Sequence, residues 1–364
     1  MPVYLKSIHF SVVLIGVLEG VAEATAGLSK GYFGKLSDNL GKRLPFIRLG
    51  YTLSAFSKPL LAFFKYPLYI FFVRTMDRLG KGVRTGARDA MLSDQATPQT
   101  KGTVFGFHRS MDTLGAVIGP VSALLFLYFH PGSYKTLFYL AFIPGILAIG
   151  FTFIIKEKRS VSRRDVRNTK FLDFLKYWRD GPLVYRRLVI GFLIFALFNS
   201  SDIFLLLKIK DAGFTDTEVI GVYIFYNLVY AFFAYPLGIL ADRWGLKNIF
   251  VFGLFLFAVV YAGMAFNRNL YIFFVLFLLY GMYAAATEGV AKAWISNVTG
   301  KEDTATAIGT FTAFQSICTL IASSGAGFLW FRFGAPVALS VTAGAACIVI
   351  IYFLYLNRHI PTQH

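Results

Sequence analysis

The sequence predicts an all-α membrane protein: about eleven transmembrane helices arranged as two pseudo-symmetric helical bundles. Three observations carry this. Hydrophobic residues make up 56% of the 364 residues and charged ones 15%, where a soluble chain has roughly a quarter charged. Apolar runs recur that are each long enough to cross a bilayer at about 1.5 Å per residue. The net charge of +17 lies mainly in basic residues between those runs, the pattern of cytoplasmic loops and not of a nucleic-acid surface. Forty Phe and twenty Tyr suit lipid-facing and interfacial positions.

The runs are read at 8–33, 45–64, 67–92, 102–128 and 135–156, then at 185–208, 216–238, 248–266, 269–297, 303–331 and 334–357. The first carries Glu19 and Glu23 and lacks a small-residue cleavage site, so it reads as a membrane helix and not a removable signal. The third is unusually charged, the fourth glycine-bearing, and the fifth almost wholly apolar. Residues 157–184 then carry eight basic residues from Lys158 to Arg179 with few acids. They form a basic linker, expected on the cytoplasmic side, between an N-terminal bundle (1–156) and a C-terminal bundle (185–364). Within it, Phe171–Trp178 reads either as a short amphipathic surface helix or as a solvated loop. The sixth run is interrupted by Asn199, Ser200, Ser201 and Asp202, polar groups that line a cavity or bend the helix. The later runs are joined by short connections. Cys318 and Cys347 fall inside them and read as small buried hydrophobes.

The halves repeat. GKLSDNLGKR (Gly34–Arg43) and GILADRWGLK (Gly238–Lys247) each close one helix, and each is followed at a similar offset by LYIFFV, at Leu68–Val73 and Leu270–Val275. These decapeptides resemble the loop motif of the major facilitator superfamily, matching at Gly34, Leu36, Asp38, Gly41, Lys42 and Arg43 and again at Gly238, Leu240, Asp242, Gly245 and Lys247. The resemblance implies a cytoplasmic conformational lock made by Gly34, Asp38, Gly41 and Arg43 and by Gly238, Asp242 and Gly245, joined by Arg84 and Arg88. It implies that Arg74 is a membrane-embedded arginine. Gly106, Gly115, Gly119 and Pro120 match the spacing of the family's antiporter motif, but Val121, Ser122 and Ala123 stand where paired glycines are expected. One helix precedes Gly34 whereas two precede Gly238, so the resemblance also implies that a first helix is lacking, through a truncated start or a natural eleven-helix design.

Candidate chemistry lies in the charged runs. Arg74, Asp77 and Arg78 sit deep in the third, where each charge costs roughly 2.5–3.5 kcal/mol unless it meets water or a counter-charge. Glu19 and Glu23 share a helix face and are natural partners for Arg74 and Arg78, or proton carriers. His108, Arg109 and Asp112 lie in the fourth run; His108 and Asp112 share a face with Gly115 and Gly119, either as a polar contact beside a glycine and Pro120 packing seam or as a proton relay. Asn199, Asp202 and Glu288 are the corresponding candidates in the second half, Glu288 forming an i, i+4 pair with Lys292. Five scattered histidines give no metal-ligand spacing.

No phosphate-binding loop or nucleophile elbow is present, so neither an ATP machine nor an enzyme is expected, and no cofactor. The expected function is secondary active transport by alternating access, coupled to H+. The cargo is a small organic anion or zwitterion, bound between the halves, with export favoured and uptake of an organic anion or metal chelate as the rival. A non-transporting membrane scaffold, lipid-handling protein or receptor is the alternative of another class. The expected partners are the lipid bilayer, the substrate and H+, with no nucleic acid; the expected state is a monomer in the plasma (inner) membrane.

Overall fold

The computed structural model describes residues 12–157 and 170–356, the side chains of residues 12–17, 19, 20 and 216 excepted, and every regular element among them is helical. The order is α1 (Val12–Leu40), α2 (Leu44–Leu60), α3 (Pro67–Gln95), α4 (Lys101–Phe129), α5 (Tyr134–Ile154), a 3₁₀ turn (Asp173–Lys176), α6 (Tyr177–Asp180), α7 (Leu183–Ala196), α8 (Ile203–Asp211), α9 (Asp216–Trp244), α10 (Leu246–Phe266), α11 (Leu270–Asn297), α12 (Thr304–Phe333) and α13 (Ala335–Leu356). Among the described residues, seven helices (α4, α5 and α9–α13) are long and apolar enough to cross a membrane. The others fall short for local reasons: α2 has 17 residues, α3 is loaded with charge, and the run at 185–208 is split into α7 and α8.

Local chemistry sets the helix ends. Thr215 and Glu218 form a reciprocal capping box at the start of α9. Asn269 accepts the Tyr271 N–H at 2.9 Å to open α11. Gly41 and Gly245, with φ of 60° and 95°, turn the chain out of α1 and α9 in the left-handed region.

The chain forms two compact units. The first comprises Met1–Met91, Pro120–Gly181 and Gly300–Ser316. In it α2 lies along α5, while Gly50 and Gly80 bring the backbones of α2 and α3 together: a Cβ on Gly50 would stand 2.6 Å from the Gly80 carbonyl oxygen. Phe46, Ile47, Val83 and Ala87 fill one core, and Leu18, Leu61, Ile70 and Val73 another. The end of the linker belongs to this unit. Phe174 is 1% exposed, with its ring on Gly31; its carbonyl accepts the Thr310 hydroxyl at 3.1 Å. Trp178 meets Phe314 edge to face, and Lys35 Nζ donates to the Asp173 carbonyl at 2.9 Å. The described part of the linker is thus docked on protein through Phe174 and Trp178, while Phe171 and Leu172 are exposed; residues 158–169 lie outside the described ones.

The second unit comprises Leu92–Gly119, Pro182–Thr299 and Ile317–His364. There α11 packs along α9 and α10, and α10 along α13. Phe192, Phe250, Trp294 and Phe353 form its aromatic core, with ring centroids 4.8–6.3 Å apart. Cys347 is exposed on α13 and not buried, because its helix turns that face away from the core; Cys318 is intermediate.

Candidate functional site

The two copies of the loop motif adopt the same local arrangement. Asp38 accepts the Thr306 N–H and hydroxyl, both at 2.6 Å, in the first turn of α12. Asp242 accepts the Gly102 N–H at 2.7 Å and the Thr103 N–H and hydroxyl, both at 2.6 Å, in the first turn of α4. A helix N-terminus exposes N–H groups with no intrahelical acceptor, and a carboxylate there gains up to about 2 kcal/mol in a partly buried setting. Glycine makes this approach possible. A Cβ on Gly34 would lie 2.5 Å from the Ala305 carbonyl oxygen, and one on Gly238 would lie 2.4 Å from that of Gly102. The first copy has an added cation: Arg43, buried, pairs with Asp38 at 2.5 Å and donates to Ser37 Oγ at 3.0 Å. Glu157 accepts the N–H groups of Arg43 and Leu44, closing the N-terminus of α2.

The charged run in α3 divides by partner. Asp77 is held by Lys58 at 2.8 Å and Arg74 at 3.1 Å, a half-buried triad between α2 and α3. Arg78 pairs with Glu23 of α1 at 3.1 Å, where the Glu23 side chain is 54% exposed. Arg84 donates to Ser54 Oγ at 2.9 Å and covers the Tyr51 ring at 4.5 Å; Arg88 pairs with the neighbouring Asp89 at 3.2 Å. The Glu19 side chain lies outside the described residues.

In the second unit Arg109 gathers three partners. Its Nε donates to the Tyr230 hydroxyl, and the guanidinium pairs with Asp112 at 3.3 Å and with Glu288 of α11. Asn199 Nδ2 donates to the Tyr283 hydroxyl at 3.0 Å, and the Tyr280 hydroxyl donates to Asp202 Oδ1 at 2.5 Å. Tyr226, Tyr230, Tyr261, Tyr280 and Tyr283 are all buried and form one polar aromatic cluster.

The structure therefore brings together Glu23 with Arg78, Arg74 with Asp77, and Arg109 with Asp112 and Glu288. Gly115 and Gly119 have no neighbour among the described residues within 4 Å of a Cβ. The close approaches on α4 fall instead at Gly102 and Gly106, where Gly238 and Ala234 stand opposite, because that end of the helix meets α9. Pro120, inside the same helix, follows the open stretch. Among the described residues no group of three or more His, Cys, Asp or Glu could hold a metal ion. The tyrosines are the residues that sequence reasoning missed. Their spacing held the signal: Tyr226 and Tyr230 are i, i+4, and Tyr280 and Tyr283 are i, i+3, so each pair shares a helix face.

A sequence profile described as Major Facilitator Superfamily matches residues 1–226 and 206–364. A Methanocaldococcus jannaschii protein described as an uncharacterised MFS-type transporter is 32% identical over 336 residues, covering 91% of this chain and 83% of the relative. The crystal structure of the human organic anion transporter MFSD10 (TETRAN) superposes with a TM-score of 0.80 at 15% identity, over 93% of this chain and 83% of its own. That of the E. coli fucose:proton symporter FucP gives 0.74 at 13% identity, over 97% and 92%. At these identities the two structures are similar to this chain in fold.

Proposed function

The chain belongs to the major facilitator superfamily, and on that premise we propose that this integral membrane transporter, which is not an enzyme, carries a small organic anion or zwitterion in exchange for protons. The observation that carries the reading is the Arg78–Glu23 pair. The Glu23 side chain is 54% exposed and that of Arg78 20%, so the pair is open on its carboxylate side, and an exposed ion pair is worth only on the order of 1 kcal/mol. A carboxylate or phosphate on the substrate replaces it at little cost, and the guanidinium fork binds such a group bidentately. Arg74 does not offer this, because the more buried Asp77 already holds it with Lys58.

Export is the favoured direction, supported by the antiporter-like spacing of Gly106, Gly115, Gly119 and Pro120. The excess of Lys and Arg in the sequence of residues 157–184 supports a cytoplasmic linker in a plasma-membrane protein, and the proposed working unit is a monomer. Purified protein reconstituted into liposomes with an imposed pH gradient tests the function against a panel of radiolabelled organic anions, zwitterions and cations. Gradient-driven anion or zwitterion flux that falls in Arg78→Ala supports the proposal. Flux in the uptake direction reverses the assignment of direction alone, and an absence of gradient-dependent movement across the panel favours a non-transporting role.

A further inference from the structure

We propose that Asp202 is a proton-binding site, enclosed by Tyr226, Tyr261, Tyr280 and Tyr283 at the break between α7 and α8; this rests on the reading of the chain as an ion-coupled transporter. Six residues, 197–202, separate the two helices. Backbone that leaves a helix inside an apolar run must be satisfied by protein or must line a hydrated space. Here the Ser201 N–H donates to Ser323 Oγ at 3.2 Å and Asn199 to Tyr283 at 3.0 Å. The break therefore has built partners and delivers a carboxylate into the tyrosine cluster.

Charge compensation is what the site lacks. Among the described residues no Lys, Arg or His forms an ion pair with Asp202. The titratable groups around it are Tyr226 and Tyr230 from α9, Tyr261 from α10, and Tyr280 and Tyr283 from α11, with Ser323 from α12 beside the break; phenols and hydroxyls are neutral at physiological pH. Arg109 is linked to the cluster through Tyr230, whose ring lies 6.2 Å from that of Tyr226. It is already engaged by Asp112 and Glu288. An ionised carboxylate in such a shell is met by the Tyr280 hydroxyl and the N-terminus of α8 but by no cation among the described residues.

The size of the shell selects the ligand. Tyr226–Tyr280 and Tyr280–Tyr283 ring centroids are 5.0 and 5.3 Å apart and all four tyrosines are buried, so the rings pack on one another and leave no room between them for an organic cation. A proton needs no volume. A second sign is the Tyr261 hydroxyl, fully buried and without a well-aligned hydrogen-bond partner among the described residues. Its ring lies 6.4 Å from that of Tyr280, within the same cluster. Asp202 itself is only partly buried, which leaves its proton a route to water. On loading, the carboxylate takes up one H+ and becomes a neutral acid that still accepts from Tyr280; on release, the H+ passes to water and the anion re-forms.

The site and the transport reading are separated by two measurements. Infrared difference spectra of the purified full-length chain, without substrate, are expected to show the carbonyl stretch of a protonated carboxyl at neutral pH. The band should disappear in the near-isosteric Asp202→Asn and shift in frequency in Tyr280→Phe, which removes the 2.5 Å hydrogen bond. A wild-type spectrum without the band, a band retained in Asp202→Asn, or replacement of the proton by Na+ (seen as Na+-dependent thermal stabilisation lost in Asp202→Asn) overturns the proposal. In liposomes, Asp202→Asn is expected to lose at least tenfold of pH-gradient-driven flux while keeping exchange without a gradient. Wild-type protein that shows the band but no gradient-driven flux leaves the proton site standing and sinks the coupled-transport reading.

Discussion

At Gly41 and Gly245 the backbone enters the left-handed region with φ of 60° and 95°, where an L side chain costs about 1–2 kcal/mol. Gly41→Ala is therefore expected to lower stability by about 1 kcal/mol, read as a reduced thermal midpoint in detergent, and an unchanged midpoint would show that the turn relaxes. The other motif glycine acts differently, since Gly34 is needed for contact with the Ala305 carbonyl and not for its own φ. Arg78→Ala removes a charge-assisted contact worth about 1.5–3 kcal/mol, so transport efficiency should fall roughly 10- to 100-fold, with Arg78→Lys recovering only part because it lacks the fork. Equal flux in both variants and wild type would take Arg78 out of substrate binding. Asp173 bears on pH. The Lys176 ammonium, followed by the Lys170 N–H, holds its carboxyl below the ordinary carboxylate range. A lowered value stabilises the fold above the unfolded-state pKa and the contribution is lost as pH falls through the folded one. Asp173→Asn should thus leave the pH profile of transport unchanged between about pH 5 and about pH 8, and a shifted profile would implicate the linker. Much of this scale was legible in the sequence, because Arg78 and Asp202 are conspicuous as charges in apolar runs and Asp38 stands in a repeated decapeptide. The pairing of Arg109 with Glu288 was not, since neither spacing nor type links residues on α4 and α11.

Phe174 shows what the elements add. The sequence offers Phe171–Trp178 as an amphipathic stretch or a loop, and neither reading says which aromatic is inside. The docked segment buries Phe174 against Gly31 because only a glycine leaves room: a Cβ there would stand 2.4 Å from the ring. Phe174→Ala should cost about 3 kcal/mol, measured as a loss of thermal stability. Gly31→Ala should destabilise the native protein and be nearly harmless in a Phe174→Ala background, a coupling that a double-mutant cycle reads directly. Additive effects would mean that the ring is not seated on Gly31 in the membrane. The break at 197–202 was visible as four consecutive polar residues. Its tyrosine lining was not, because tyrosines in so aromatic a chain read as interfacial until α9, α10 and α11 are packed together.

For the whole molecule, orientation is the open prediction. With Cys318 and Cys347 replaced, a cysteine at the exposed Lys170 should react with a membrane-impermeant reagent only from the cytoplasmic side; labelling from outside intact cells would invert the topology. By itself the sequence determined the class of protein and the approximate course of most helices, because lipid allows only long apolar runs with satisfied backbones, and the repeated decapeptide marked the duplication; the split of the run at 185–208 into α7 and α8 and the extension of α1 to Leu40 came from the structure. Which charges are matched, which glycines are contacts, and which carboxylate stands among phenols and not cations were decided only by tertiary structure. Those properties belong to pairs of residues far apart in the chain, and a periodic pattern along one helix carries no information about the face of another.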